Sequence, residues 1–100
     1  MITLHVLGAG GALPTPDRGP AAYWIDLDGD GLLVDPGPGA LVRLVRQGGA
    51  PDTVDDVDTV LLSHLHLDHT ADLAPLLFAR HSILARREHD LLIAGPPGTA

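Results

Sequence analysis

Four side chains of types that bind metal ions fall within six positions, directly after a short apolar segment. Residues 59–62 are apolar enough to form a buried strand, and the sequence Ser-His-Leu-His-Leu-Asp-His follows at positions 63–69. In an extended backbone, side chains two positions apart project to the same side. His64 and His66 are therefore expected to hold one cation together.

Asp68 and His69 complete this motif, and they are expected to lie in the turn after the strand, facing a neighbouring position. Imidazole nitrogens and carboxylate oxygens are ligands that suit zinc, with manganese or iron as alternatives. The motif follows the carboxyl end of a predicted strand, which is where open α/β sheets place their binding sites. A histidine-rich surface turn would explain any one of these residues but not all four together.

The rest of the chain predicts a sheet covered by helices. Segments rich in β-branched and apolar residues alternate with Gly- and Pro-rich turns, and one segment has apolar residues at helical spacing. The predicted elements are strands at 2–7, 21–27, 32–35, 59–62 and 91–94, a hairpin turn at 28–31, and a helix at 40–47. Strands followed by mixed strands and helices favour an α/β or α+β fold.

A second helix is predicted from Thr70 onward. Thr70 is of a type that caps helix starts, and Pro75 is compatible with a helix that begins close to it. The residues expected on the buried face of this helix are Leu73, Leu76, Leu77 and Phe78.

The motif supplies fewer ligands than a pair of metal ions needs. A catalytic zinc normally takes three protein ligands and keeps one position open, so two ions need about six ligands. The other His and Asp residues considered as ligands are His5, Asp35, His81, His89 and Asp90. His81 and His89 are more simply explained as solvated residues near a helix end. Asp35, between a strand and a Pro-Gly loop, either orients a metal ligand or serves as a turn residue.

Composition limits the partners of this chain. It has 100 residues and a formal charge of −7, and all six of its basic residues are Arg. General nucleic-acid binding needs clustered positive charge, but a phosphoester substrate stays compatible because a bound cation supplies that charge locally. The lack of cysteine excludes thiolate zinc sites. With no signal peptide pattern and no long apolar run, a cytoplasmic location without membrane contact is expected, and the acidic segment 52–58 is expected to be exposed.

The motif and its surroundings resemble the metallo-β-lactamase superfamily of hydrolases. The family signature H-x-H-x-D-H matches His64, His66, Asp68 and His69. Three further segments resemble the ribonuclease Z and phosphodiesterase branch, namely LHVLGAGGALPTPDRG, LLVDPGPGA and LIAGPPGT. The resemblance implies the N-terminal half of an αββα sandwich, in which a mixed sheet carries helices on one face.

The resemblance also implies roles for the motif residues. His64 and His66 would bind a first zinc ion, and Asp68 and His69 would bind a second. Asp68 would in addition contact the attacking water and act as a base. The implied reaction is hydrolysis of a phosphodiester, an RNA or a small ester. A homodimer is a further expectation for a full-length form.

Members of this family are more than twice as long as this chain, and their second half supplies the remaining metal ligands. Residues 1–100 are therefore expected to be a partial domain without the C-terminal half, with one bare sheet face and little activity alone. Two alternatives stay open. One is a non-catalytic metal-binding module that uses His81 or His89 as a third ligand. The other is an ester hydrolase of the lactamase or thioesterase type.

Overall fold

The computed structural model describes residues 1–28, 30–47, 57–81 and 90–99. Within these residues it contains five strands and three helices, which are β1 (Ile2–Gly8), β2 (Ala22–Leu27), β3 (Asp30–Val34), α1 (Ala40–Arg46), β4 (Thr59–Leu61), α2 (Leu67–Thr70), α3 (Leu73–His81) and β5 (Leu92–Ala94). The strands form one sheet in the order β1-β2-β3-β4-β5. The first three strands are antiparallel, and β4 and β5 run parallel to β3. The predicted mixed α/β sheet is confirmed.

The hairpin between β2 and β3 is tighter than predicted. Asp30 pairs with Leu27 and Gly31 pairs with Asp26, so two residues of the predicted four-residue turn belong to β3. Asp28 makes the turn with a φ of 54°, a left-handed conformation that Asp tolerates better than most residues. Gly29 lies outside the described residues.

The helices cover one face of the sheet. Trp24 pairs with Leu33, and Leu33 pairs with Val60, so these buried side chains share a face. Leu44 of α1 and Leu76 of α3 join them in the same core cluster. The position of the helices therefore agrees with the prediction.

The opposite face of the sheet is apolar and exposed. On β1, the exposed fractions are 71% for Ile2, 58% for Leu4 and 59% for Val6. Leu61 on β4 and Leu92 on β5 are also exposed on this side. Because strand side chains alternate between faces, this surface is the reverse of the one that α1 and α3 cover.

The predicted start of the second helix is wrong. The short helix α2 comes first, and Thr70 ends it with its Oγ1 donating a hydrogen bond to the His66 carbonyl at 3.2 Å, instead of capping a new helix. The longer helix α3 begins at Leu73, which puts Pro75 in its first turn, where the missing N–H costs nothing. In the described part of the chain, no helix combines the length and apolar character that crossing a bilayer requires.

The predicted buried face of α3 is partly wrong. Leu76 is fully buried and Leu73 packs against the core, but Leu77 and Phe78 are exposed. Arg80 takes an inner position instead, with its Nη1 donating a hydrogen bond to the Val57 carbonyl at 2.6 Å.

The predicted exposed acidic segment 52–58 falls mostly outside the described residues. Its last two residues do not follow the prediction. Val57 is fully buried, and Asp58 is partly buried beside Arg80.

Candidate metal centre

The site lies where the neighbouring parallel strands β3 and β4 end. Asp35 directly follows β3, and its N–H donates a hydrogen bond to the Leu61 carbonyl of β4 at 3.0 Å. Ser63 comes two residues after β4. Its N–H donates to Asp35 Oδ1 at 2.8 Å and its hydroxyl lies 2.6 Å from Asp35 Oδ2. Parallel pairing thus brings the start of the histidine motif against the Asp35 carboxylate.

Three of the four motif residues form a group with the geometry of a metal site. His64, Asp68 and His69 each offer one ligand atom, and these three atoms lie within 4.8 Å of one another. His69 Nε2 is 3.0 Å from Asp68 Oδ2, and the ring centroids of His64 and His69 are 3.8 Å apart. The side chains of all three residues are only partly accessible to solvent. Within the described residues, this is the group of His and Asp side chains whose ligand atoms lie close enough together to hold a cation.

The short helix α2 explains why Asp68 and His69 return to His64. His66 keeps an extended backbone, with φ −63° and ψ 149°, and the chain then turns at once into α2. The His69 N–H donates to the His66 carbonyl at 2.9 Å, which closes this turn. A turn of helix, rather than an irregular loop, therefore places these two side chains.

His66 lies beside the group rather than in it. Its ring packs edge-on against the His64 ring, with centroids 4.9 Å apart, and the residue is exposed. His64 and His66 are expected from the sequence to hold one cation together. In the structure, His64 is instead grouped with Asp68 and His69. The reason is that the extended backbone ends at His66, where α2 folds the chain back toward His64. The ligand assignment of all four residues remains a prediction.

Asp35 is the buried acidic residue that organises this site. Its exposed fraction is 6%, and its φ of 51° is unusual for a residue other than glycine. Oδ2 lies 3.0 Å from His69 Nδ1. Burial alone would raise the pKa of the Asp35 carboxyl, but the two hydrogen bonds from Ser63 and the contact with His69 outweigh it. The pKa is therefore held below the ordinary aspartate value of 3.8.

The loop between β3 and α1 supports the motif from the other side. At Gly37 a Cβ atom would lie 1.8 Å from the Asp68 carbonyl oxygen, so only glycine permits this approach. The Asp72 N–H donates to the Pro36 carbonyl at 2.9 Å. Asp72 Oδ2 accepts the Leu41 N–H at 3.0 Å and so caps α1, whose own N-cap residue, Gly39, has no side chain.

The geometry around His69 fits a bound cation. Its Nδ1 faces one carboxylate and its Nε2 faces another, each at 3.0 Å. If the ring proton is on Nδ1, then Nε2 and Asp68 Oδ2 are two lone-pair acceptors in close contact. Such a contact is favourable only when a positive charge, either a proton or a metal ion, lies between them. Two imidazoles and a carboxylate are a donor set that suits zinc, manganese or iron.

Among the residues that the structure describes, His5, His81 and Asp90 do not join the group. His5 lies in a groove of about 560 Å³ beside Arg43 and Arg46, and His81 is exposed at the end of α3. Asp90 lines a separate cleft with Asp30 and Asp58. His89 lies outside the described residues.

Sequence reasoning missed three residues that shape the site. Ser63, Gly37 and Asp72 make the contacts described above, but the local sequence pattern assigns none of them a role in the site. The available signal for Gly37 is the Pro-Gly-Pro segment that directly follows Asp35. No local signal marks Asp72, because its partners are 31 and 36 positions away in the chain.

Comparison with known proteins gives the same answer as the motif. The family model of the Metallo-beta-lactamase superfamily matches residues 15–99. Ribonuclease Z of Methanopyrus kandleri is 39% identical over 95 residues, which cover 95% of this chain and 32% of that protein. The chain therefore spans about a third of the length of this curated relative.

Solved structures share the same fold. The metallo-beta-lactamase fold protein YhfI from Bacillus subtilis superimposes with a TM-score of 0.82 and 35% identity, over 98% of this chain and 39% of that one. The short form of human tRNase Z gives a TM-score of 0.75 and 28% identity, over 98% of this chain and 36% of that one. The resemblance drawn from the motif is thus confirmed, and the chain belongs to the metallo-β-lactamase superfamily.

Proposed function

We propose that this chain carries one part of a two-zinc hydrolase site that cleaves phosphodiester bonds, with RNA as the substrate class. The observation that carries the proposal is the group formed by His64, Asp68 and His69 at the ends of two parallel strands. Similarity to ribonuclease Z over nearly the whole chain supports the substrate class.

The motif residues would divide the work as follows. His64, His66 and His69 would supply neutral nitrogen ligands, and Asp68 would supply a carboxylate oxygen. The other oxygen of Asp68 would orient the attacking water and accept its proton. Divalent cations held here would lower the pKa of water and offset the negative charge that develops on a phosphoester.

We further propose that residues outside this sequence complete the site. Two cations need about six protein ligands, and the motif offers four. The exposed apolar face of the sheet supports this proposal, since monomeric proteins seldom leave a large continuous apolar surface in water.

The test compares the 100-residue chain with a form extended by its downstream reading frame. Both are stripped with a chelator and reloaded with zinc. Zinc per chain is then measured by atomic emission, and hydrolysis is measured on bis(p-nitrophenyl) phosphate and a single-stranded RNA oligonucleotide. We expect weak metal binding and little turnover in the short form, and up to two zinc ions with activity in the extended form.

Variants of the extended form locate the activity. His64→Ala or Asp68→Ala should lower turnover by more than the roughly 10–100-fold that loss of an outer hydrogen-bond partner costs. His81→Ala is the control, and it should retain activity. An extended form that binds no metal would overturn the hydrolase proposal. A short form as active as the extended form would overturn the proposal that residues outside this sequence complete the site. Preference for a cephalosporin or a thioester would assign the site to the lactamase or thioesterase type.

A second candidate is a metal-binding module without catalysis. It is favoured by one observation, namely that three ligand atoms already converge within this chain alone. It predicts tight, stoichiometric zinc binding by the 100-residue form and no hydrolysis by the extended form. If His81→Ala and His89→Ala leave the zinc affinity unchanged, neither residue is the third ligand of such a module.

A further inference from the structure

We propose that Ser63 is a positioning residue that links Asp35 to His64 and fixes the ring proton of His64 on Nδ1, leaving Nε2 free to bind a cation. The proposal deepens the proposed function and rests on it for the presence of that cation. It concerns hydrogen positions, which follow here from the number of donors and acceptors around one hydroxyl.

The Ser63 hydroxyl has a single hydrogen to donate. Ser63 Oγ lies 2.6 Å from Asp35 Oδ2 and 3.0 Å from His64 Nδ1. A carboxylate can only accept a hydrogen bond, so the hydroxyl hydrogen goes to Asp35. The second contact must then run the other way, with His64 Nδ1–H donating to Ser63 Oγ. The neutral His64 ring is thereby left with its lone pair on Nε2.

Asp35 is held in place for this task. Asp35 Oδ1 accepts the Ser63 backbone N–H at 2.8 Å. The Asp35 carboxylate therefore binds Ser63 through both the main chain and the side chain of Ser63. The carboxylate is 6% exposed, which restricts competition from water. The Ser63 hydroxyl therefore donates to a fixed acceptor, Asp35 Oδ2, and its oxygen is oriented to accept a hydrogen bond from His64 Nδ1.

The same carboxylate oxygen also faces His69. Asp35 Oδ2 lies 3.0 Å from His69 Nδ1, and this contact is attractive only when Nδ1 carries a hydrogen. His69 Nε2 lies equally close to a second carboxylate, Asp68 Oδ2, at 3.0 Å, so the inference about the position of the ring proton is confined to His64.

Two variants and one control separate the contact of Asp35 with Ser63 from its contact with His69. Ser63→Ala removes the link to His64 and leaves the contact between Asp35 and His69. Ser63→Thr keeps a hydroxyl in the same place and is the matched control. Asp35→Asn disturbs both histidines, because an amide presents only one acceptor oxygen in place of two.

The first measurement is the tautomer itself in the zinc-free 100-residue chain. Long-range proton–nitrogen NMR spectra at about pH 8, above the ordinary histidine pKa of about 6.5, distinguish Nδ1–H from Nε2–H rings. We expect the Nδ1–H form for His64, a shift toward Nε2–H in Ser63→Ala, and recovery in Ser63→Thr. The signals of His5 and His81 are internal controls and should not move. A wild-type His64 in the Nε2–H form would overturn the proposal.

The second measurement is zinc affinity, obtained by competition with a chromophoric chelator. Ser63→Ala should weaken binding about 10–100-fold, the range typical for loss of an outer hydrogen-bond partner, and Ser63→Thr should restore it. A Ser63→Thr variant as weak as Ser63→Ala would refute the role of the hydroxyl. If the extended wild-type form binds no zinc, the proposed function fails, while the tautomer measurement still decides whether Ser63 orients His64.

Discussion

Asp35 shows how much of this site depends on one side chain. It leaves β3 with a left-handed backbone, is almost fully buried, and contacts Ser63 and His69 through its two carboxylate oxygens. A left-handed conformation in a residue other than glycine costs of the order of 1 kcal/mol and persists only where the surroundings compensate for it. Here the compensation comes from charge-assisted hydrogen bonds to the carboxylate.

Replacing Asp35 with Asn should change how stability depends on pH. The folded state lowers the pKa of this carboxyl below 3.8, so the ionised form stabilises the fold. This contribution is complete above the unfolded-state value and is lost as the pH falls through the lower folded-state value. Asp35→Asn should cost about 1.5–3 kcal/mol at pH 6, the usual value of hydrogen bonds to a charged group, and should flatten the pH dependence below pH 5.

Urea unfolding of the zinc-free chain between pH 2 and pH 6 measures this effect. Asp17→Asn is the matched control, since Asp17 lies exposed in the loop after β1. If both variants lose the same stability at every pH, the burial and contacts of Asp35 contribute nothing specific.

At the scale of residues, the sequence was sufficient to identify the metal-binding motif but not the contacts that position its side chains. Spacing and residue type were sufficient to select His64, His66, Asp68 and His69, because these properties are local. For Asp35 the sequence left two interpretations equal, and the contact with His69 favours the one in which it orients a ligand. That contact spans 34 positions and depends on β3 pairing with β4, which no local pattern encodes.

At the scale of elements, the site depends on two connections packed against each other. One runs from β3 into α1, and the other contains α2 and the start of α3. The Asp72 main chain and side chain bind the first connection, and Gly37 allows its backbone to touch Asp68. The position of the metal group relative to Asp35 is therefore fixed by backbone contacts as well as by side chains.

Replacing Gly37 with Ala should disturb the site more than a surface change would. The new methyl group would lie 1.8 Å from the Asp68 carbonyl oxygen, and backbone on both sides must move to relieve this clash. We expect a loss of about 1–3 kcal/mol in unfolding free energy, the usual cost of overpacking, together with weaker zinc binding. Gly11→Ala is the control, since a Cβ atom at Gly11 meets nothing within 4 Å. Equal stability of the two variants would contradict the close approach.

Replacing Asp72 with Ala should loosen the start of α1. The Asp72 carboxylate accepts the Leu41 N–H near the positive end of that helix, where an acceptor from elsewhere in the chain takes the place of a capping side chain. The expected cost is about 0.5–2 kcal/mol in urea unfolding, as for loss of an N-cap. Asp72→Asn keeps an oxygen acceptor and should retain part of the stability. An Asn variant as unstable as the Ala variant would show that charge, not hydrogen bonding, stabilises this helix end.

The predicted strands and helices match the structure where the local apolar pattern agrees with the packing of the fold. The prediction was wrong at the junction between α2 and α3. All five strands follow from segments rich in β-branched and apolar residues, and α1 follows from apolar residues at helical spacing. The segment 67–73 contains no Gly or Pro, so its sequence does not predict a boundary between two helices. The break is instead set by the tertiary contacts of Asp72 with Pro36 and Leu41.

At the scale of the whole molecule, the two faces of the sheet differ sharply in burial. The face under the helices holds Trp24, Leu33 and Val60, all nearly inaccessible. The other face presents Ile2, Leu4 and Val6 at its β1 edge. The family resemblance predicted one bare sheet face, but the strand order that joins these residues into a continuous surface with β4 and β5 came only from the fold.

This asymmetry predicts that the 100-residue chain associates through its bare sheet face. The triple variant Ile2→Thr, Leu4→Thr, Val6→Thr keeps β-branched residues that suit a strand while it removes apolar surface from water. It should bind less of the dye ANS and sediment as a smaller species at a given concentration, with little loss of unfolding free energy. Phe78→Thr is the control, because Phe78 is 79% exposed but lies on α3, away from this face. Association that falls equally in the control would mean that any exposed apolar residue contributes. Association that persists in the triple variant would place the contact outside the β1 edge of the sheet.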